Sequence, residues 1–272
     1  MKKFYVEANS DKDVGLKLSH QIKDYLVQHG CDCTVMGEMP SDTECVIVLG
    51  GDGTMIQAAR DMARADIAFI GVNLGTLGYL AEIEPDAVFP MLDRLMTDEY
   101  EEEDRMMLCG LPTVKGVPSV NEFALNDVIV TRSGPMRLVT FIIYVNGKLL
   151  KTYGADGIIV STPTGSTGYN LSTGGPIIEP SAKVLLLTPI NAHTLNARSI
   201  ILSSEDEITI EIGPSRRGVT ETAEVFFDGA AMVKLESGDS VHIKKAEEIT
   251  RILKMSKENF LDVLRRKLAD AE

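Results

Sequence analysis

Two stretches of this chain carry residue types suited to phosphate chemistry. They are Gly50-Gly51-Asp52-Gly53-Thr54 and the run from Asp156-Gly157 through Ser161-Thr162-Pro163-Thr164-Gly165-Ser166-Thr167-Gly168-Tyr169. Glycines allow the backbone to turn sharply and approach a ligand without obstruction by a Cβ. If a helix begins just after the first loop, its free amides form an anion site. One loop of this kind reads as an ordinary turn. Two, each accompanied by a carboxylate, point to a site that handles two phosphorylated ligands, and hence to phosphoryl transfer.

Asp52 is the anomaly in the first loop, because a carboxylate repels phosphate. It is useful there if it binds Mg²⁺ or takes a proton from an attacking hydroxyl, and phosphoryl transfer uses both roles. The competing reading is an Asp-Gly turn whose carboxylate caps the following helix. The chain has no G-x-x-x-x-G-K-[ST] segment and no G-x-G-x-x-G after a strand, which removes P-loop enzymes and ordinary dehydrogenases. In the second loop, hydroxyls at Ser161, Thr162, Thr164, Ser166 and Thr167 suit a polar ligand edge, and Tyr169 offers a ring for stacking. Its competing reading is a Ser/Thr-rich connection. Asn126-Asp127 pairs an amide with a carboxylate and suits two ribose hydroxyls, or else is a turn pair.

The elements that must position these loops change character along the chain. Phe4-Tyr5-Val6 reads as a strand, and Val14, Leu18, Ile22, Tyr25 and Leu26 recur at helical spacing up to Gly30. Cys45-Val46-Ile47-Val48-Leu49 and Ile67-Ala68-Phe69-Ile70-Gly71-Val72 are apolar runs typical of parallel strands buried on both faces. Met55 to Ala65 between them predicts a helix. This is β-α-β order, whose ligand side is the carboxyl end of the strands. The acidic run Asp98 to Asp104 reads as a solvated connector. Beyond it the texture is β-rich. Leu138 to Val145 leads into Asn146-Gly147, a strong hairpin signal, and short β runs follow at Gly157–Val160, Val184–Leu187, Glu207–Ile210 and Val225–Phe227. Phe260, Val263, Leu264 and Leu268 return to helical spacing, with Lys257, Arg265, Arg266 and Lys267 on the opposite face.

Composition narrows the field further. A chain of 272 residues that is 44% hydrophobic and 25% charged can bury one large core or two modest ones. The net charge of −13, from 40 acidic and 27 basic residues, disfavours diffuse attraction to nucleic acid or anionic lipid. A polyanionic ligand must be met locally, by amides, cations or metal. No signal-peptide run and no stretch of ~20 apolar residues is present, so a cytoplasmic location is expected. Cys31, Cys33, Cys45 and Cys109 lack metal-site spacing and are expected to be reduced, structurally incidental thiols.

Taken together, the motifs resemble the NAD kinase family. The matching stretches are Gly50 to Thr54, Gly71-Val72-Asn73-Leu74-Gly75-Thr76-Leu77-Gly78-Tyr79-Leu80, Asn126-Asp127, and Asp156-Gly157 through Tyr169. They continue with Gly174-Gly175-Pro176-Ile177, Thr188-Pro189-Ile190 with His193-Thr194 and Arg198, and Asp228-Gly229. The first motif is shared with lipid kinases and phosphofructokinases, whereas the long Ser/Thr-rich motif is specific. The acidic run and the change of texture set the boundary, and within it the resemblance implies an α/β N-terminal domain with a parallel, Rossmann-like sheet, residues 1–103, joined by a C-terminal helix at 255–272. It also implies a predominantly β domain at 104–254 for dinucleotide binding and oligomerisation.

It further implies phosphorylation of the adenosine-ribose 2′-hydroxyl of NAD to give NADP. ATP or polyphosphate would be the donor, with Mg²⁺ or a related divalent ion, and the assembly would be a homodimer or homotetramer. By position, Asp52 resembles the residue that activates the hydroxyl, and Gly53 a close backbone contact. Asn126 and Asp127 resemble the ribose and adenine clamp, and Asp156 a carboxylate reaching base or carboxamide nitrogen. Thr164, Ser166, Thr167 and Tyr169 resemble the pocket lining, and Asp228 a polar contact beside the transferred phosphate. No metal ligand is singled out. Asp127 stands where many relatives have Glu, Gly168 and Thr173 where Ala is usual, and Asn191-Ala192 where a proline is common. The alternatives are a lipid or sugar kinase sharing the first loop, and a non-catalytic dinucleotide sensor.

Overall fold

The computed structural model describes residues 1–75, 78–134, 138–194, 197–214, 220–256 and 258–269. The chain divides into two compact units, Met1–Arg105 with Thr250–Glu272, and Met106–Ile249.

The first unit opens with β1 (Lys3–Ala8), α1 (Lys17–Gln28), β2 (Asp32–Val35), β3 (Cys45–Gly50), α2 (Asp52–Asp61), β4 (Ala68–Asn73) and α3 (Val88–Met96). The strands β2, β1, β3 and β4 lie side by side in that order, all parallel. Every residue of β3 and β4 is buried, which explains why all but the final Asn73 are apolar or glycine. Ile22 and Leu26 of α1 and Leu92 and Leu95 of α3 are fully buried in the core of this unit, as the 3.6-residue spacing of their apolar positions requires.

The turn before α1 is tightly built. Asp13 is buried, and its carboxylate accepts hydrogen bonds from the amides of Leu18 (2.9 Å) and Ser19 (3.0 Å) and from the Ser19 hydroxyl (2.5 Å). Burial alone would raise its pKa, but the Ser19 hydroxyl and the two amides outweigh it and hold the carboxyl below its ordinary range.

Two expectations need correction here. The helix expected over Met55 to Ala65 begins at Asp52 and ends at Asp61. Gly51, in an extended conformation, serves as its N-cap and is the single residue between strand and helix. Its far end tightens through 3₁₀-type bonds from Ala63 to the Arg60 carbonyl and from Ala65 to the Met62 carbonyl. The acidic run is not a connector either, because its second half opens the strand β5 (Glu101–Val114). Like charges are tolerated there because Arg105 pairs with Glu103 (3.0 Å) and Arg251 lies 3.3 Å from Glu102 and 3.4 Å from Asp104.

The second unit contains β6 (Val117–Pro118), β7 (Glu122–Ala124), β8 (Asp127–Arg132), β9 (Val139–Val145), β10 (Lys148–Ala155) and β11 (Gly157–Ser161). It continues with the short α4 (Tyr169–Ser172), β12 (Val184–Ile190), β13 (Ile200–Ser203), β14 (Ile208–Ile212), β15 (Thr222–Phe227), β16 (Ala231–Glu236) and the first part of β17 (Ser240–Lys254). One antiparallel layer runs β10-β9-β14-β17 and the other β13-β12-β11-β8-β15-β16. Their alternating inward residues, among them Phe141, Tyr153, Ile158, Val160, Val225 and Phe227, form one continuous core. Asn146 (φ 50°) and Gly147 (φ 72°) close the β9–β10 hairpin with both central residues left-handed, the turn that Asn-Gly favours.

The end of β17 rejoins the first unit, where Arg251 and Ile252 pair parallel with Ala68 and Phe69 of β4. Glu82 secures this return, meeting Lys254 Nζ at 2.5 Å and accepting from the Met255 amide (2.6 Å) and the Ser256 hydroxyl (2.9 Å). The last helix, α5 (Phe260–Ala269), follows. It places Phe260 6.2 Å from the Tyr79 ring and Lys267 Nζ 4.8 Å above the same ring. Lys257 and residues 270–272 of the expected C-terminal helix lie outside the described residues.

Candidate functional site

In the first unit, Asp52 opens α2. The side chain makes no capping bond to its own helix. Its carboxylate reaches instead to three consecutive amides: Tyr79 donates to Oδ2 at 2.6 Å, and Leu80 and Ala81 donate to Oδ1 at 3.0 and 3.2 Å. Two carboxylate oxygens offer about four acceptor directions, so Oδ2 retains one for a further donor. Gly78 is required by this contact, since a Cβ there would overlap the Asp52 carboxylate. Gly50 is likewise required, because a Cβ would overlap the Thr54 side chain. At Gly53 a Cβ would meet nothing within 4 Å. Among the described residues no packing contact explains that glycine, whereas a ligand brought close to the backbone would.

The two glycine-bearing segments are joined through the backbone, Leu74 donating to the Gly50 carbonyl at 2.6 Å, and the buried Asn73 side chain accepts from the Gly75 amide at 3.1 Å. Thr76 and Leu77 of the second motif lie outside the described residues. A cavity of about 490 Å³ opens beside the loop, lined by Glu7 to Lys12, Gly51, Gly53, Thr54, Gln57 and Asp61 among others.

In the second unit a second carboxylate repeats the device. Asp228, itself left-handed at φ 49°, accepts from the amides of Leu125 (2.7 Å), Asn126 (2.8 Å) and Asp127 (3.1 Å). Asp127 is buried, and its pKa is pushed up to about 7, first by burial and then by the charge of Asp228. The Asn126 Oδ1 atom is buried and has no hydrogen-bond partner among the described residues. An orphaned acceptor of this kind costs stability unless a ligand or water supplies a donor.

The hydroxyl-rich loop folds back against this segment. Thr162 Oγ1 donates to the Leu125 carbonyl at 2.6 Å and accepts from the Gly165 amide at 3.1 Å. A Cβ at Gly165 would overlap the Asn126 carbonyl. Thr164 and Ser166 are buried, and Ser166 Oγ both donates to the Ile178 carbonyl (3.2 Å) and accepts from the Ile178 amide (3.0 Å). Thr167 is half-buried and Tyr169 is exposed. Thus Asn126, Asp127, Asp228, Thr164 and Ser166 are brought together around one backbone junction, with Thr167 and Tyr169 presented outward from the same loop.

Asp156 stands apart from that junction within its unit. Its Oδ1 accepts from Arg132 Nε at 2.7 Å and its Oδ2 from Asn191 Nδ2 at 3.1 Å. These two partners hold its carboxyl below the usual range. His193 is exposed and contributes its backbone amide to the Gly154 carbonyl at 2.9 Å.

Sequence reasoning missed several participants. Asn170 is fully buried, donating to the carbonyls of Ser166 and Pro176 (3.1 Å each) and accepting from Thr188 at 2.7 Å. The Gly174-Gly175 motif was the available signal, because a Cβ at Gly175 would overlap Asn170. Arg132 and Asn191, the partners of Asp156, carry no motif. Lys12 sits in a polar turn far from any glycine loop in sequence, yet its Nζ lies over Gly51 and Gly75. Among the described residues, no group of three or more His, Cys, Asp or Glu side chains could hold a metal ion. None of the described helices is long and apolar enough to cross a membrane.

Comparison with known proteins covers both units. The family model for the ATP-NAD kinase N-terminal domain matches residues 34–100, and that for the ATP-NAD kinase C-terminal domain matches 125–255. The chain is 43% identical to an NAD kinase of Agathobacter rectalis, over 99% of each chain. It is 37% identical to an NAD kinase of Caldanaerobacter subterraneus over 99% of this chain and 100% of the other. Among solved structures, a yeast NADH kinase complexed with NADH superposes with a TM-score of 0.87 at 20% identity, covering 99% of this chain and 88% of that one. An NAD kinase from Archaeoglobus fulgidus in complex with ATP gives 0.78 at 22% identity, covering 98% and 97%. At those identities the two structures speak to the fold, a two-domain one that in this chain comprises an α/β unit and a β-rich unit.

Proposed function

The chain belongs to the NAD kinase family, and from that premise we infer that it phosphorylates the 2′-hydroxyl of the adenosine ribose of NAD, with ATP as donor, to make NADP. The observation that carries the chemistry is the anchored Asp52 carboxylate, held by three amides with one acceptor direction of Oδ2 to spare. Asp52 takes the proton of the ribose hydroxyl as its oxygen bonds to the γ-phosphorus. The bond from that phosphorus to the β-phosphate oxygen breaks, and ADP leaves. Gly53 lets a phosphate approach the backbone at the start of α2, where amides and helix dipole both favour an anion.

On the acceptor side, Asn126 Oδ1 takes a hydrogen bond from the adenosine portion of NAD, which ends its isolation. Asp127, once ionised, accepts from a ribose hydroxyl. Asp228 acts through the backbone by holding Leu125 to Asp127 in place. Thr164 and Ser166 shape the loop, Thr167 and Tyr169 face the dinucleotide, and Asp156 receives a base or carboxamide nitrogen with Arg132 and Asn191 orienting it. A divalent ion, Mg²⁺ by this reading, neutralises charge on the donor phosphates when bound. With no three-ligand cluster among the described residues, it would be carried chiefly by phosphate oxygens and water, the usual habit of Mg²⁺.

Polyphosphate as an alternative donor belongs to the same proposal. So does assembly as a homodimer or homotetramer, for which the exposed Leu149 and Leu150 on β10 and Ile201 on β13 offer apolar sheet edges. A cytoplasmic location is supported by Cys31, Cys33 and Cys45, buried as free thiols. Neither a lipid or sugar kinase nor a silent sensor gains support from these features. Offered NAD, NADH, diacylglycerol and fructose 6-phosphate with ATP and Mg²⁺, the purified protein is expected to phosphorylate NAD in preference to the lipid and the sugar. Preference for either of those two acceptors, or binding of NAD without product, would replace this reading.

A further inference from the structure

Lys12 is the feature of the first unit that the catalytic reading leaves unused. Its ammonium nitrogen lies 3.2 Å from where a Cβ on Gly51 would stand and 2.7 Å from where one on Gly75 would stand. It therefore lies close to both glycine-bearing segments at once. The turn that carries it is firmly held: Asn9 donates to the Leu49 carbonyl at the end of β3, and Lys12 and Asp13 both donate to the Asn9 carbonyl. The buried Asp13 then ties the turn to the start of α1.

Lys12 itself makes no side-chain hydrogen bond or ion pair among the described residues. Carboxylates are near, since Glu7, Asp11 and Asp61 line the same cavity. Glu7, however, is taken up by the Tyr5 hydroxyl at 3.1 Å, and Asp61 by Arg60 at 2.8 Å. An ammonium with no hydrogen-bond or ion-pair partner among the described residues, close to two glycines on the wall of a cavity of about 490 Å³, suits a phosphate group. In a chain of net charge −13, such a cation is the local means of meeting a polyanion that the overall field repels.

We propose that Lys12 binds a phosphate group of a substrate held over Gly51 and Gly75, supplying a point charge that the glycine amides alone lack. The proposal rests on the phosphotransfer reading for the identity of the substrate, but not for the chemistry of the site. The phosphate belongs either to the donor or to the pyrophosphate of NAD, and kinetics separates the two.

The test compares Lys12→Met and Lys12→Arg with the unaltered protein. Steady-state KM for ATP and for NAD is measured for each, together with the affinity of the free protein for inorganic tripolyphosphate at low and high salt. The expected result is a rise of ~10–100-fold in KM for one substrate in Lys12→Met, the loss of one charge-assisted hydrogen bond. Lys12→Arg should recover most of it. A rise confined to ATP assigns the phosphate to the donor, and one confined to NAD assigns it to the acceptor. Tripolyphosphate should bind the unaltered protein in a salt-sensitive way and Lys12→Met more weakly by a similar factor. Unchanged KM values for both substrates with unchanged tripolyphosphate affinity would overturn the proposal. If the unaltered protein made no NADP, the activity reading would fall, and the tripolyphosphate measurement would still decide the role of Lys12. Because the side chain is exposed and unpartnered, the unfolding temperature should not move.

Discussion

Replacing Asp52 by asparagine is expected to lower kcat for NADP formation by about 10²–10⁴-fold, the range that general-base assistance spans. An amide is nearly isosteric with the carboxylate but a poor base. The structure adds a second consequence that the sequence did not reveal. Both oxygens of Asp52 accept backbone amides, Oδ2 from Tyr79 and Oδ1 from Leu80 and Ala81. An asparagine NH₂ in place of either oxygen would face a donor with a donor, so at least one of those bonds is lost. The variant therefore combines a missing base with a loosened segment. Gly78→Ala separates the two effects, since its Cβ would displace the carboxylate while leaving the charge in the protein. Activity should fall in both variants, and raising the pH should not restore Asp52→Asn. Near-normal turnover by Asp52→Asn would remove this residue from the mechanism.

Loss of Asp228 is expected to damage stability and acceptor binding together. Asp228→Ala deprives the amides of Leu125, Asn126 and Asp127 of their acceptor. Each such loss costs roughly 1–3 kcal/mol when water cannot replace the bond. Because these groups are only partly buried, about 3 kcal/mol in total is expected from denaturant unfolding, with a large rise in KM for NAD. Asp228→Asn, which tolerates the left-handed backbone and keeps some acceptor capacity, should fall between.

The same variant has a signature in pH. Asp127 titrates at about 7, raised by burial and then by the Asp228 charge. For a group whose folded pKa is raised, the stabilising contribution is full below the unfolded value of ~4 and is lost as pH rises through the folded one. Stability should therefore decline through about pH 7, while KM for NAD should improve over the same interval as the carboxylate forms. Removing the Asp228 charge should move that midpoint in KM to lower pH. A midpoint that stays in place would show that Asp127 is not the group being read.

Much of the frame was legible because its signals are local. The apolar runs of β3 and β4, the Asn146-Gly147 hairpin and the spacing of Ile22 and Leu26 each follow from burial or turn geometry within a few residues. The acidic run misled because the compensating Arg251 lies far along the chain, where no local pattern reports it. The candidate site was legible to the extent that it is written in glycines and carboxylates. Asp52 and Asp228 were visible as residues, but their shared habit of gripping three consecutive amides was not, since each grips a segment distant in sequence. Asn170 and Lys12 were missed for the same reason. One is a buried polar hub and the other a surface lysine, and nothing in the neighbouring sequence separates either from its many ordinary counterparts. Gly75 and Gly175 held the clue, as positions where a partner from elsewhere occupies the space of a Cβ.

The most direct test of the account is the identity of the phosphorylated product. With NAD, ATP and Mg²⁺, phosphorus NMR of the reaction with purified protein should show a new phosphomonoester on the 2′-oxygen of the adenosine ribose, formed in step with ADP and greatly slowed by Asp52→Asn. ADP release with inorganic phosphate as its only partner, or a phosphoester at any other position of NAD, would contradict it.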